Sequence, residues 1–344
     1  MAKKLYRRLF SIPVVLAIAF GLISCESNPR SAQPDTHHSP VRSAHGTWVE
    51  ESFQTAVVNI GLKELGYTIE TPKELDYASI YLSIANQDID YSVVYYDRGY
   101  ESFFDAANQN NQLERMGQII PPGTQGYQMD KKTAHEYGIT SLQQLQDPQI
   151  ATLFDSNGDG KADLAGCNPG WACGTIIEHH IETYGLKNTV EQTQGNYTAL
   201  LQNTITRYQQ RQPILYYAYN PHWIFAVLKP NEDVVFLEVP FTSLPEDEEM
   251  GDLTEDDTTF EGKNLGWPSI GQKFVVNREF VDHHPMAKRW FELVTIPVAD
   301  MNEVSLAIKD GKNTPEAISS LAQEWVSDNQ AQFDQWLVEA KEAK

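Results

Sequence analysis

Residues 153–173 read LFDSNGDGKADLAGCNPGWAC. The last seven begin and end in Cys, with Pro169 and Gly170 supplying turn chemistry and Trp171 near the middle of the loop. Bridged by its own two cysteines, so short a loop presents its indole at low entropic cost. An indole held out on a rigid loop forgoes burial in the core, which makes sense for a ligand platform. Just upstream, Asp155, Asn157, Asp159, Lys161 and Asp163 reproduce alternating positions of an EF-hand-like calcium loop, with Gly160 at its sharp turn. The twelfth position, normally a bidentate Glu, is Gly166. A structural Ca2+ and a loop held by Asx turns are therefore both open readings, and neither gives the metal a catalytic role.

Outward from this stretch, strand-like and helical segments alternate. Phe53, Val57 and Ile60 fall at helical spacing, Leu62 and Leu65 widen the stripe, and Gly66 is placed to stop it. A strand-like segment at 67–71, a helix at 80–85 and a β-rich run at 91–96 follow, and the alternation resumes from 125 to 219. The C-terminal part reads as helical, with Thr314-Pro315 as a start and Ile318, Leu321, Ala322 and Trp325 on one face. This predicts an α/β fold with a largely parallel sheet, whose ligands bind at the carboxyl ends of the strands, where Tyr96 sits. At 344 residues and 41% hydrophobic content, the chain exceeds what one core usually supports, so two lobes are expected.

The N-terminus has basic residues, an apolar run at 12–23 and then Leu22-Ile23-Ser24-Cys25, the pattern of an export signal. The Leu-Ile-Ser-Cys sequence resembles the lipobox of bacterial lipoproteins, which implies that Cys25 is the lipidated first residue of the mature chain and anchors it without a membrane span. Residues 26–46, rich in Ser, Pro and His, read as a flexible tether. In an oxidising compartment Cys167 and Cys173 read as a disulfide. Two thiolates fall short of the four ligands of a structural zinc site. Loss of residues 1–25 removes Lys3, Lys4, Arg7 and Arg8, taking the net charge from -21 to near -25. Such a surface excludes nucleic acid as a partner. Residues 246–257 carry eight carboxylates in twelve positions and read as a solvated loop.

Two further segments cluster aromatics: 91–100, with Tyr95, Tyr96 and Tyr100, and 215–223, with Tyr219 and Trp223. Aromatic faces brought together from separate strand ends form a box for a quaternary ammonium group. The pairs His179-His180 and His283-His284 diverge in direction and read as surface or hydrogen-bonded histidines. The sequence holds no HExxH, GxSxG, Walker A or GxGxxG motif, and it offers no evident acid, base and nucleophile set, so a binding protein is expected rather than an enzyme.

From about Trp48 to the end the chain resembles the ProX-type glycine betaine/proline betaine-binding proteins. The resemblance rests on residues 63–77 (KELGYTIETPKELDY), 125–134 (QGYQMDKKTA), 145–173 (LQDPQIATLFDSNGDGKADLAGCNPGWAC), 195–201 (GNYTALL) and 239–245 (VPFTSLP). It implies a two-lobed periplasmic binding protein of type II, a Venus flytrap with its ligand cleft between the lobes. Residues 47–126 and 239–344 would form one lobe and 127–238 the other. It also implies a box of three Trp around the trimethylammonium group. The matching positions here are Tyr96, Trp171 and Tyr219, so only Trp171 keeps the family residue. The carboxylate would meet the amides of Ala172 and Cys173 and, where the family has His, Tyr100, which donates a hydrogen bond but carries no positive charge. The implied function is capture of a betaine osmoprotectant, without any required cofactor, by a monomeric lipid-anchored extracytoplasmic subunit that serves an ABC permease and its ATPase. Two other readings are a binder of choline or another quaternary amine and a ligand-sensing lipoprotein.

Overall fold

The computed structural model describes residues 40–98, 100–245 and 253–343. The expected signal peptide, the expected lipidation site Cys25 and most of the expected tether lie outside the described residues, as does 246–252 of the acidic segment. In chain order the strands are β1 (Ser43–His45), β2 (Lys73–Glu74), β3 (Tyr91–Tyr96), β4 (Leu113–Gly123), β5 (Gln125–Asp130), β6 (Ala162–Ala165), β7 (Val190–Thr193), β8 (Leu215–Tyr219), β9 (Val234–Phe236), β10 (Thr259–Phe260), β11 (Lys263–Asn264) and β12 (Ile270–Asn277).

These strands make two five-stranded sheets, β2-β1-β3-β12-β4 and β7-β6-β8-β5-β9, and a small β10-β11 hairpin. Each sheet has three parallel strands followed by one antiparallel to both its neighbours, β12 in the first and β5 in the second. The sheets are thus mixed rather than largely parallel, because the strand that enters each lobe from the other runs against its neighbours. Separate cores flank them. Phe53, Tyr91, Phe274, Trp290 and Phe291 belong to the first, and Tyr127, Phe154, Ile176, Tyr216 and Trp223 to the second.

The helix expected from the Phe53 stripe spans Val49–Glu64, and Gly66 follows its cap at φ +94°, a conformation that costs a residue without Cβ little. The run at 80–85 lies in helix Tyr77–Ala85, capped by the Asp76 carboxylate, and Thr314 caps helix Pro315–Asp328. Residues 67–71 make only an isolated bridge, Ile69 to Val41, and the strand in this region is the two-residue β2.

Two boundaries differ from the expectation. Residues 40–46 are not tether: Val41 and Ala44 are fully buried, β1 pairs with β2 and β3, and the Arg42 guanidinium meets Asp90 at 2.6 Å. Small side chains suffice there because β1 is covered by strands on both edges. Residues 239–245 and 253–267 pack on the second lobe. Val239 and Trp267 join its core, Tyr184 donates to the Phe241 carbonyl, and His180 is bonded to Ser243. The chain therefore crosses at Thr124 and returns near Pro268, and the Gln125 side chain donates to the Pro268 carbonyl across the two crossings. Gly123 ends β4 where a Cβ would stand 1.9 Å from the Asn220 carbonyl oxygen, so no side chain fits at this crossing.

Candidate ligand-binding cleft

Four segments that leave the carboxyl ends of parallel strands converge between the lobes. After β1 come Thr47 and Trp48, after β3 Tyr100, after β6 the 167–173 loop, and β8 itself ends in Tyr219. They line a cavity of about 480 Å³ together with Glu50, Tyr77, Tyr96, Arg98, Gln125 and Trp267. All six residues expected to touch a ligand, Tyr96, Tyr100, Trp171, Ala172, Cys173 and Tyr219, are on its walls. Cavities at such strand ends are where open α/β sheets bind small molecules.

The wall from lobe 2 is a relay of rings. Trp171 packs on Tyr197 at 5.7 Å between centroids, Tyr197 stacks on Tyr219 at 5.6 Å, and Trp48 of lobe 1 reaches over to Tyr219 at 6.3 Å. Trp171 and Trp48 remain 36% and 39% exposed, so both indoles keep a face for a ligand. Cys167 and Cys173 are bonded as expected, which closes the loop beneath Trp171. Helix Ala172–Thr183 starts immediately after Trp171, and the amides of Ala172 and Cys173, in its first turn, have no intrahelical acceptor. Those donors and the helix dipole favour an anion.

The wall from lobe 1 is built of phenols. Tyr100 packs on Tyr96 at 5.0 Å and edge-on to Tyr77 at 5.2 Å. Tyr96 and Tyr77 both donate to Oε1 of Glu51, at 2.6 and 3.1 Å, and the Gly46 amide donates to its Oε2 at 2.7 Å. Glu51 is 0% exposed. Burial raises its pKa, and the bonds from Tyr96, Tyr77 and Gly46 offset only part of that rise. Burial and the neighbouring Glu51 charge push the Tyr96 phenol well above its ordinary value, so it stays protonated and donates. Arg98 at the cavity pairs with Asp257 of the acidic segment at 2.8 Å, which joins the two lobes across the cleft. A second tie is the bond from the His222 amide to Asn302, at 2.9 Å.

Sequence reasoning missed Trp48, Tyr77, Glu50 and Glu51. Trp48 could have been found as a large apolar residue at a helix N-cap with no side-chain capping role. Glu51 carries no such signal, since an acidic residue in a first helical turn is ordinary.

The calcium-loop residues sit away from this cavity and bond among themselves. Asp155 accepts from the amides of Gly158 and Gly160, Asn157 from Asp159, and Asp159 from Lys161, while Asp163 accepts from Ser156. The bonds at Asn157 and Asp159 are Asx turns, and among the described residues no three His, Cys, Asp or Glu side chains converge on a point suited to a metal. His180 is buried, accepting from the Tyr127 hydroxyl on Nδ1 and donating from Nε2 to the Ser243 carbonyl, and burial lowers its pKa to about 4. His283 and His284 cap their own helix carbonyls.

Two α/β lobes joined by two crossings, with an aromatic cavity at the strand ends between them, define a solute-binding protein of the two-lobed type. The chain belongs to the OpuAC family, described as the substrate binding domain of ABC-type glycine betaine transport system, whose model matches residues 39–328. It is 41% identical over 304 residues to the glycine betaine-binding periplasmic protein OusX of Dickeya dadantii (strain 3937), covering 88% of this chain and 90% of that one. It is also 41% identical over 306 residues to the glycine betaine/proline betaine-binding periplasmic protein of Escherichia coli (strain K12), covering 89% and 90%. Lactococcal OpuAC, solved closed with glycine betaine, shares the fold at TM-score 0.55 and 18% identity over 87% of this chain and 100% of that one. An ABC-transporter choline binding protein solved with choline does so at TM-score 0.55 and 19% identity, over 87% and 91%. Among the described residues no helix is long and apolar enough to cross a membrane.

Proposed function

We propose that this chain captures a quaternary-ammonium zwitterion of the glycine betaine type outside the cytoplasm and hands it to an ABC permease driven by an ATPase subunit. The observation that carries this reading is one cavity lined by two chemically different sets of groups: the π faces of Trp48, Tyr96, Trp171 and Tyr219, and the first-turn amides of Ala172 and Cys173. The rings attract a diffuse cation that offers no hydrogen bond, and the amides attract the carboxylate. Tyr replaces Trp at 96 and 219 and His at 100 relative to the family pattern, so the donor at position 100 is neutral. Closure of the lobes over the ligand gives the permease a shape by which to tell loaded from empty protein. The chain acts as a monomer held at the membrane by lipid on Cys25, and binding and release are its whole chemistry.

Calorimetric titration with glycine betaine, proline betaine, choline and proline tests the reading. The betaines bind, and Trp171→Ala weakens them by about thirtyfold, the scale of a desolvated cation–π contact. Failure of every quaternary amine to bind would assign the cleft to another solute.

A further inference from the structure

Glu51 is a fully buried carboxylate whose three bonds all come from neutral donors, the hydroxyls of Tyr96 and Tyr77 and the amide of Gly46. Every contact is donated to it, which is the pattern of an ionised, acceptor-only group. Its place in the first turn of helix Val49–Glu64 favours that charge. Among the described residues no Lys, Arg or His forms an ion pair with it, although a buried charge normally demands a partner of opposite sign. Both phenols that bond Glu51 line the cavity, whereas Glu51 itself does not.

We infer that Glu51 is the negative counter-charge of the cation end of this cleft, acting through the rings of Tyr96 and Tyr77, and that it makes the cavity select a charged headgroup over a neutral one of the same shape. This deepens the betaine reading and rests on it. Two effects point the same way. A phenol that donates into a carboxylate is polarised toward its oxygen and ring, which strengthens the π face toward a cation. The carboxylate also attracts the cation directly through a medium of low dielectric constant. The bound ligand thereby supplies the partner that the protein leaves out. Two other charged groups line the same cavity. Glu50 accepts from the Ser305 hydroxyl at 2.8 Å, and Arg98 is paired with Asp257. Glu50 bonds to no ring of the box among the described residues.

The test compares glycine betaine with 3,3-dimethylbutanoate, in which a quaternary carbon replaces the quaternary nitrogen at nearly unchanged shape. Affinities of both are measured in the wild-type protein and in Glu51→Gln, with Glu50→Gln in parallel. The expected result is that Glu51→Gln lowers the preference for betaine by about tenfold, with dimethylbutanoate moved by less than about threefold, and that Glu50→Gln lowers it less. Equal weakening of both ligands marks a structural role and overturns the proposal, as does an unchanged preference or a larger effect at Glu50. If Glu51→Gln fails to fold, the preference is read in Tyr96→Phe, which keeps the ring and removes its bond to the carboxylate. A reduced preference there supports the proposal and an unchanged one overturns it. Wild-type protein that binds neither ligand sinks the reading of the cleft itself, whereas wild-type protein that prefers betaine separates that failure from this one.

Discussion

The two walls of the cleft hold aromatic rings by different means. On lobe 2, Trp171 is fixed by covalent closure of its loop and by packing on Tyr197, and among the described residues no carboxylate is hydrogen-bonded to these two rings. On lobe 1, Tyr96 and Tyr77 are fixed by hydrogen bonds to one buried carboxylate. A hydroxyl on the ring is what permits the second arrangement, since an indole in place of Tyr96 has its N–H elsewhere and would leave Glu51 short of a donor. Exchange of Trp for Tyr thus gives up π surface and gains an anchor point connected to a charge.

The contrast can be broken at three places beyond those already given. The largest effect is expected from replacing Cys167 and Cys173 together by Ser, which frees the loop that carries Trp171. The chain-entropy model gives a stability loss of about 2 kcal/mol for so short a loop, and betaine affinity should fall by about tenfold as the indole becomes mobile. Unchanged affinity in titration would show that packing on Tyr197 alone positions the ring. A smaller effect, about threefold to tenfold, is expected for Trp48→Ala, because Trp48 belongs to lobe 1 yet extends the ring relay of lobe 2. No effect would confine the box to the three family positions.

The smallest effect concerns acid. Lobe 2 buries His180 and His222 in neutral form, and burial lowers their pKa values to about 4 and about 3. As pH falls below the unfolded value near 6.5, the unfolded chain takes up protons that the folded one refuses, so stability is lost progressively down to about 4 for His180 and about 3 for His222. Glu51 has the opposite sign: its raised value means that the folded state takes up its proton first, a gain as pH falls toward 4.5. Denaturant unfolding of Glu51→Gln, which removes the opposing carboxyl, should therefore show a loss of stability between about pH 6.5 and about 4. A flat profile would show that the histidines are not held neutral.

Much of this architecture was legible in the sequence because the relevant signals are local. The stripe through Phe53, Val57 and Ile60 writes its own helix, and the run at 91–96 writes its own strand. The 167–173 loop states its closure in two cysteines. What was not legible depends on partners distant in sequence. β1 has only Ser, Ala and His, and it is buried because β2 and β3 cover it, not because its residues are apolar. Residues 239–245 and 253–267 have no periodicity that says which lobe they join, and only contacts such as Tyr184 to Phe241 decide it. Glu51 looked like a helix-start residue until Tyr96 arrived 45 positions later to bond it.

The position of β12 also bears on the order in which the molecule can assemble. It lies between β3 and β4, pairing Val276 with Tyr91 on one edge and with Glu114 on the other, yet it is made only after all of lobe 2. Until residues 270–277 emerge, the first sheet is two fragments without a common neighbour, while the second sheet already has all its strands in one continuous stretch from Gln125 to Phe236. A chain delivered N-terminus first can complete its second lobe before its first, and the half of the cleft that holds Glu51 is the last to be finished.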